Sequence, residues 1–347
     1  MHLKRNHSMD LLRILCTIFI VFIHVTPEYN PSDNSSWPGI FIHSLVRSGL
    51  PIFFIMSGYF ILNSNIKSAL SFYRSRFISI IIPFIVFSFA HYCYFHQWDS
   101  NPYSLEWGVN FIKSIIYGSP INFGREYFMT GLYWFVYAII GLYLLSPAMI
   151  KCMDFINENN ALKCVLILVF SYCILWVLGS ALGKLGLESN WLQYPNNIKW
   201  LFYFLVGGVI RRINIKTKTS YSLPSIIITY ALVVITCYGS AKGEWYSSSW
   251  IDANAAMVLF SVCLFATFHG LEINFKKNYV TYLSSLTYGV YLIHIVFLSV
   301  VSDKTHVLSN NLIIYTLVTG SAVVTLAFIA SAAVNFIIIN KVMMLLK

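Results

Sequence analysis

Apolar stretches of bilayer-crossing length recur from one end of this chain to the other, each bounded by a cluster of Lys, Arg, Asn or Pro. A hydrocarbon layer about 30 Å thick takes roughly 20 residues of α-helix, and backbone inside it must satisfy its own hydrogen bonds. Runs of this kind therefore have the helix as their stable form. They read as spans near 11–26, 40–62, 77–95, 132–150, 162–182, 198–210, 223–239, 251–269, 282–301 and 312–339. With 58% hydrophobic and only 10% charged residues, the chain carries far more apolar surface than one aqueous core accepts. The expectation is an all-α integral membrane protein of about ten transmembrane helices, one polytopic domain over residues 1–347.

The formal charge of +10 would suit a nucleic-acid partner only if the basic residues gathered on one solvated face. They alternate with the spans instead. With the N-terminus in the cytoplasm, the inner segments hold Lys4, Arg5, Lys67, Arg74, Arg76, Lys151, Lys163, Arg211, Arg212 and further lysines. The outer segments hold only Lys113, Arg125, Lys184, Lys199, Lys242 and Lys304, while Arg13 and Arg47 lie inside or at the edge of spans. This is the positive-inside pattern, and it predicts that both termini are cytoplasmic and that no nucleic acid is bound. The first span has no small-residue cleavage site after it, so it is expected to stay in the mature protein. The seven cysteines sit singly without a CxxC pair, which predicts structural thiols and no metal site. No internal repeat, Gly-rich phosphate loop or Asp-rich Mg²⁺ motif is present, so nucleotide-driven or metal-assisted phosphoryl chemistry has no foothold.

The longest non-spanning stretch, 96–131, places Leu105, Val109, Ile112 and Ile116 at helical spacing. It predicts an amphipathic helix in the membrane interface, or a connector anchored by Trp107. Ionisable groups inside a membrane are costly, and the first span carries Asp10, Arg13 and His24. Arg13 and His24 are eleven residues apart, about three turns, so they share one helix face roughly 16 Å apart. Asp10, three residues before Arg13, lies on that side as well. Arg13 can hold phosphate at one mouth, and His24 is a ready base near neutral pH at the other. The plainer reading has Arg13 reaching to the interface beside Asp10, with His24 a packing residue. Arg74 and Arg76 add two cations before the third span, either phosphate ligands or topology determinants. The run Pro51 to Tyr59, PIFFIMSGY, is expected to kink the second span.

These residues resemble the membrane-bound acyltransferase family 3, whose members O-acylate cell-surface glycans. SMDLLRILCTIFIVFIH is similar to the family's first span, with its D-x-x-R start at Asp10 and Arg13 and its R-x10-H interval from Arg13 to His24. PIFFIMSGYFI, with Ser57, resembles the second span. YWFVYAIIGLYLLSP, with Trp134, and YGVYLIHI, with His294, resemble the fourth and penultimate spans. The resemblance implies an acyl-CoA donor, most often acetyl-CoA, with no tightly bound cofactor, and transfer to a polysaccharide or lipid-linked sugar at the bacterial cytoplasmic (inner) membrane. It implies His24 as catalytic residue and Arg13, Arg74 and Arg76 as donor-binding residues, supported by Asp10, Ser57, Trp134 and His294. The family often shows R-x-x-R after the second span, where this chain has R-x-R with Ser79 further on. The resemblance is to the standalone form without a fused extracytoplasmic domain. The competing expectation is a transporter or flippase of a lipid-linked glycan, lined by Arg13 and a broken second helix.

Overall fold

The computed structural model describes residues 7–26, 37–99, 101–117, 130–185, 194–213, 219–241, 251–271, 273 and 279–345. The α-helices are α1 (His7–Val25), α2 (Trp37–Val46), α3 (Gly49–Ile61), α4 (Ala69–Arg76), α5 (Ile82–His96), α6 (Leu105–Tyr117) and α7 (Thr130–Met153). They continue as α8 (Glu158–Lys184), α9 (Tyr194–Ile210), α10 (Thr219–Ala241), α11 (Ala255–Gly270), α12 (Tyr279–Thr305), α13 (Leu312–Val334) and α14 (Asn340–Leu345). No strand occurs among the described residues. Among the described residues, seven stretches are long and apolar enough to cross a bilayer: His7–Val25, Trp37–Ile61, Ala69–His96, Tyr133–Met153, Glu158–Leu182, Tyr279–Leu308 and Leu312–Val342. The remaining three expected spans are shorter apolar helices, Ile198–Ile210, Leu223–Gly239 and Ala255–Gly270. The protein is all-α and multi-pass.

The chain forms two compact units. The first comprises Met1–Asn65, Ala148–Ser284 and Asn310–Thr316, and the second Ile66–Pro147, Ser285–Ser309 and Leu317–Lys347.

The first unit is built around α3, which packs on α9, α1 and α11. Small residues make the closest of these approaches: a Cβ at Gly58 would run into the carbonyl of Phe204, and one at Gly207 into the carbonyl of Ile55. Helices in lipid gain little from apolar burial against each other, so this backbone-to-backbone fit supplies the dispersion that holds the pair. Gly58→Val is expected to lower stability by about 1–3 kcal/mol or more, because the obstacle is backbone and cannot swing aside. Thermal unfolding of the purified variant, followed by size-exclusion, checks this.

The second span is broken, but not where its sequence suggests. The interruption is at Arg47–Ser48, between α2 and α3, and PIFFIMSGY runs through α3 as regular helix. Pro51 falls in the first turn of α3, where a helix has no use for the missing N–H, so the proline starts the helix rather than bending it.

In the second unit, a π-helical turn, Phe77–Ile81, joins α4 to α5, and Tyr288 Oη donates to the Ile80 carbonyl at 3.2 Å. The amphipathic helix expected within 96–131 is α6. Trp107 and Phe111 anchor it inward, with Trp107 Nε1 donating to the His96 carbonyl at 3.3 Å. The stripe Leu105, Val109, Ile112 and Ile116 is left exposed. Residues 118–129 of that loop lie outside the described residues.

Candidate functional site

Asp10, Arg13 and His24 all lie on the single uninterrupted helix α1. The face that Arg13 shares with His24 is the packed one: Thr17, Ile20 and Val21 between them are buried at 1%, 2% and 0% exposure. Arg13 therefore does not project to lipid from an outward stripe. Arg13 is half-buried at one end of this face, and His24 is exposed at the other, in the last turn. The closed midsection also means that no open track runs down the face itself. Asp10 is buried and accepts hydrogen bonds from Ser284 Oγ at 2.8 Å and Thr281 Oγ1 at 3.3 Å, both from the start of α12. Nearby, Ser8 Oγ donates to the Leu271 carbonyl at 2.6 Å. These bonds fix the entry of α1.

Arg13 reaches the end of α3, where a cationic and aromatic cluster is built from three more helices. Its guanidinium lies 5.7 Å from the Phe60 ring centroid, and that of Arg211, just after α9, lies 5.8 Å from the same ring and 4.9 Å from Tyr59. Ring faces carry partial negative charge, so one ring can hold two cations near each other. His269, from α11, completes the cluster, its Nδ1 3.2 Å from Tyr59 Oη. One turn from Phe60, Arg212 donates through Nε to Asn63 Oδ1 at 3.0 Å and through Nη1 to the carbonyls of Met153 and Ile156. Arg212 is thereby occupied as a structural tie. Arg13 and Arg211 bring two guanidinium groups to one ring, an arrangement that suits a phosphate-bearing ligand. Ser57 is half-buried on the same stripe of α3 as Phe60, three residues apart.

At the opposite end of α3 the first unit buries a second charged group. Asp252, in the 3₁₀ turn Ile251–Ala253, is 4% exposed, and its electrostatic partners are Arg47, at the break between α2 and α3, and Lys199 of α9. Among the described residues, Asp252 Oδ1 and Arg47 Nε are buried without a hydrogen-bond partner. The backbone of the turn is held by Tyr203 Oη on the Asp252 carbonyl at 2.9 Å and Tyr172 Oη on the Ala253 carbonyl at 3.1 Å. Lys199 Nζ also lies 5.1 Å from the Trp200 ring centroid. In the sequence Arg47 stood out only as a charge inside or at the edge of a span and Lys199 only as an outer-segment charge, while Asp252 was passed over. A lone acid within an apolar run was the available signal.

The second unit holds the other expected site residues. Arg74 and Arg76 stand at the end of α4, with the Arg76 guanidinium 5.5 Å from the Phe72 ring centroid. Trp134 is half-buried on α7, its ring edge-on to Phe135 at 6.3 Å. His294 is 1% exposed, and its Nδ1 lies 2.6 Å from the Tyr291 carbonyl, to which it donates when protonated there. Its electrostatic neighbour is His91 of α5, also 1% exposed, with neither ring nitrogen hydrogen-bonded among the described residues. His91 went unread in the sequence because nothing in its local spacing links it to a helix some 200 residues later. No group of three or more His, Cys, Asp or Glu able to hold a metal ion occurs among the described residues.

Helices of membrane-crossing character that carry aspartate, arginine and histidine define an integral membrane protein, and ionisable groups on such helices are the first candidates for function. The family model described as an acyltransferase domain matches residues 6–339, and the chain belongs to this acyltransferase family 3. It is thus a membrane acyltransferase. No match was found among curated proteins or among solved structures.

Proposed function

We propose that this acyltransferase moves an acyl group, acetyl in the first instance, from cytoplasmic acyl-CoA to a hydroxyl of a cell-surface or lipid-linked polysaccharide. The observation that carries the reading is α1 itself. It delivers Arg13 to the cluster with Arg211 and His269, and eleven residues later presents His24 on the same helix face. With both termini cytoplasmic and all ten apolar helices crossing the membrane, the Arg13 cluster faces the donor side. Its two guanidinium groups hold CoA phosphates, for which charge-assisted bonds from arginine are well suited. The pantetheine arm, passing beside the closed midsection of the face, brings the thioester toward the level of His24.

There the imidazole takes the proton of the acceptor hydroxyl as its oxygen attacks the thioester carbonyl. Collapse of the tetrahedral intermediate breaks the C–S bond, and the CoA thiolate leaves and takes up the proton. A route through an acyl-histidine uses the same residue as nucleophile.

The test is transfer of label from [acetyl-¹⁴C]acetyl-CoA into polysaccharide by membranes containing the protein. Label in the acceptor supports the reading. Absence of transfer from acetyl-CoA and longer acyl-CoA donors, with a verified acceptor present, overturns it. Within that assay Arg211→Gln is expected to raise the KM for donor about tenfold with kcat little changed, because it removes one charge-assisted contact to a group that does not react. Initial rates against donor concentration check this.

A further inference from the structure

The acid buried near the start of α3 has hydrogen-bonding capacity that its surroundings leave unused. Asp252 is 4% exposed, and its electrostatic partners are Arg47, at the break before α3, and Lys199 of α9, itself 6% exposed. Asp252 Oδ1 and Arg47 Nε are both buried without a hydrogen-bond partner among the described residues, so these two atoms do not bond each other. The hydroxyls of Tyr203 and Tyr172 donate to the backbone carbonyls of Asp252 and Ala253, not to the carboxylate. A buried acceptor and a buried donor left unmade are costly, and a ligand group that bonds both offsets that cost.

The position of the cluster indicates which substrate supplies that group. α3 begins against α1, where a Cβ on Gly49 would meet Cys16, Phe19 and Ile20, and it ends where Arg13 lies over Phe60. The two helices are therefore antiparallel. Arg47, two residues ahead of Gly49, falls beyond Ile20 on the side of His24, which is one turn further along α1. Trp200, next to Lys199, stacks on Phe54 at 4.6 Å, which brings Lys199 to the same early part of α3. The cluster thus belongs to the His24 end of the first unit, away from Arg13 and Arg211. The chemistry of the two open atoms then selects the ligand. An anionic group would bond Arg47 and leave Asp252 Oδ1 facing a like charge, whereas a hydroxyl donates and accepts at once. We infer that Asp252 and Arg47 bind a neutral sugar of the acceptor, Asp252 Oδ1 accepting from a sugar hydroxyl and Arg47 Nε donating to the same hydroxyl or its neighbour. That the sugar is the acceptor rests on the acyltransferase reading above; its binding is measured without turnover.

Saturation-transfer NMR on the purified full-length protein, in a detergent without a sugar headgroup, tests it. The probes are the methyl glycosides of glucose, galactose, mannose, rhamnose and N-acetylglucosamine, with methyl glucuronide as the anionic counterpart. At least one neutral glycoside is expected to receive saturation about tenfold above methyl glucuronide, and R47M/D252L, which removes both bonding atoms, is expected to lose that signal about tenfold. Asp252→Asn keeps the shape of the side chain and an acceptor oxygen but not its charge, so a loss of about threefold is expected. It decides the matter if the paired variant does not purify. No saturation of any neutral glycoside by the wild type, equal saturation of methyl glucuronide, or a signal unchanged in whichever variants purify overturns the proposal. In the label-transfer assay the paired variant is expected to raise the KM for acceptor about tenfold and leave that for acetyl-CoA unchanged. Sugar binding without label transfer by the wild type would overturn the acyltransferase reading alone. Transfer with an unchanged acceptor KM in the variants would overturn this one.

Discussion

His24→Ala is expected to lower acyl transfer by about 10²- to 10⁴-fold, the contribution of a positioned general base, while the protein still inserts at normal yield. The separation of the two effects follows from where His24 sits. It is exposed in the last turn of α1, whereas the contacts that hold the helix are made by the residues before it, Cys16, Thr17, Ile20 and Val21, all at 2% exposure or less. Truncation at His24 opens no void in that packing. The measurement is the initial rate of label transfer at matched expression. A wild-type rate in His24→Ala would remove the residue from the mechanism and leave the shared helix face without a chemical purpose.

The second large effect is one of stability. Asp252→Ala removes a buried carboxylate whose electrostatic partners are the half-buried Arg47 and the buried Lys199, and leaves those two cations without it. Breaking a buried ion cluster from one side costs about 3–5 kcal/mol, because the remaining charge keeps its desolvation penalty and loses its compensation. Thermal unfolding in detergent should show a large loss for Asp252→Ala. The paired change Arg47→Met with Asp252→Leu should recover much of it, since it removes a cation together with the anion. Equal loss in the single and the paired variant would mean that the packing of the turn, through Tyr203 and Tyr172, outweighs its charge. The backbone bonds from those two tyrosines are independent of the Asp252 side chain, so the cycle separates the two contributions.

Much of the architecture was legible because hydropathy in a membrane is a strong local signal. The expected span at 11–26 is α1, and 312–339 is α13 with the π-helical turn that follows it, Asn335–Ile339. Gly207 abuts the backbone of α3, a closeness that only a residue without a side chain allows in an apolar run. The position of the helix break was not legible. A proline in an apolar run reads as a kink, but whether it bends a helix or begins one depends on where the preceding residues leave it, and here Arg47 and Ser48 interrupt first.

The candidate site divides along the same line. Asp10, Arg13 and His24 stand at helical spacing within one segment, so the common helix and face of Arg13 and His24 followed from 3.6 residues per turn alone. Their partners did not. Ser284 and Thr281 on Asp10, Arg211 and Phe60 beside Arg13, Lys199 and Arg47 facing Asp252, and His91 beside His294 come from segments far apart in the chain.

By itself, then, the sequence determined that the chain is helical, that it belongs in a membrane and that its first helix carries an arginine and a histidine on one side, because each of these is a property of local composition and period. Tertiary structure alone decided that this side is the packed one, that Arg13 shares an aromatic ring with a second arginine, and that a buried acid has two cations from other helices as its electrostatic partners. The physical reason is range: periodicity acts within a helix, whereas electrostatic pairing and cavity shape depend on which helices pack together, and no local spacing encodes that.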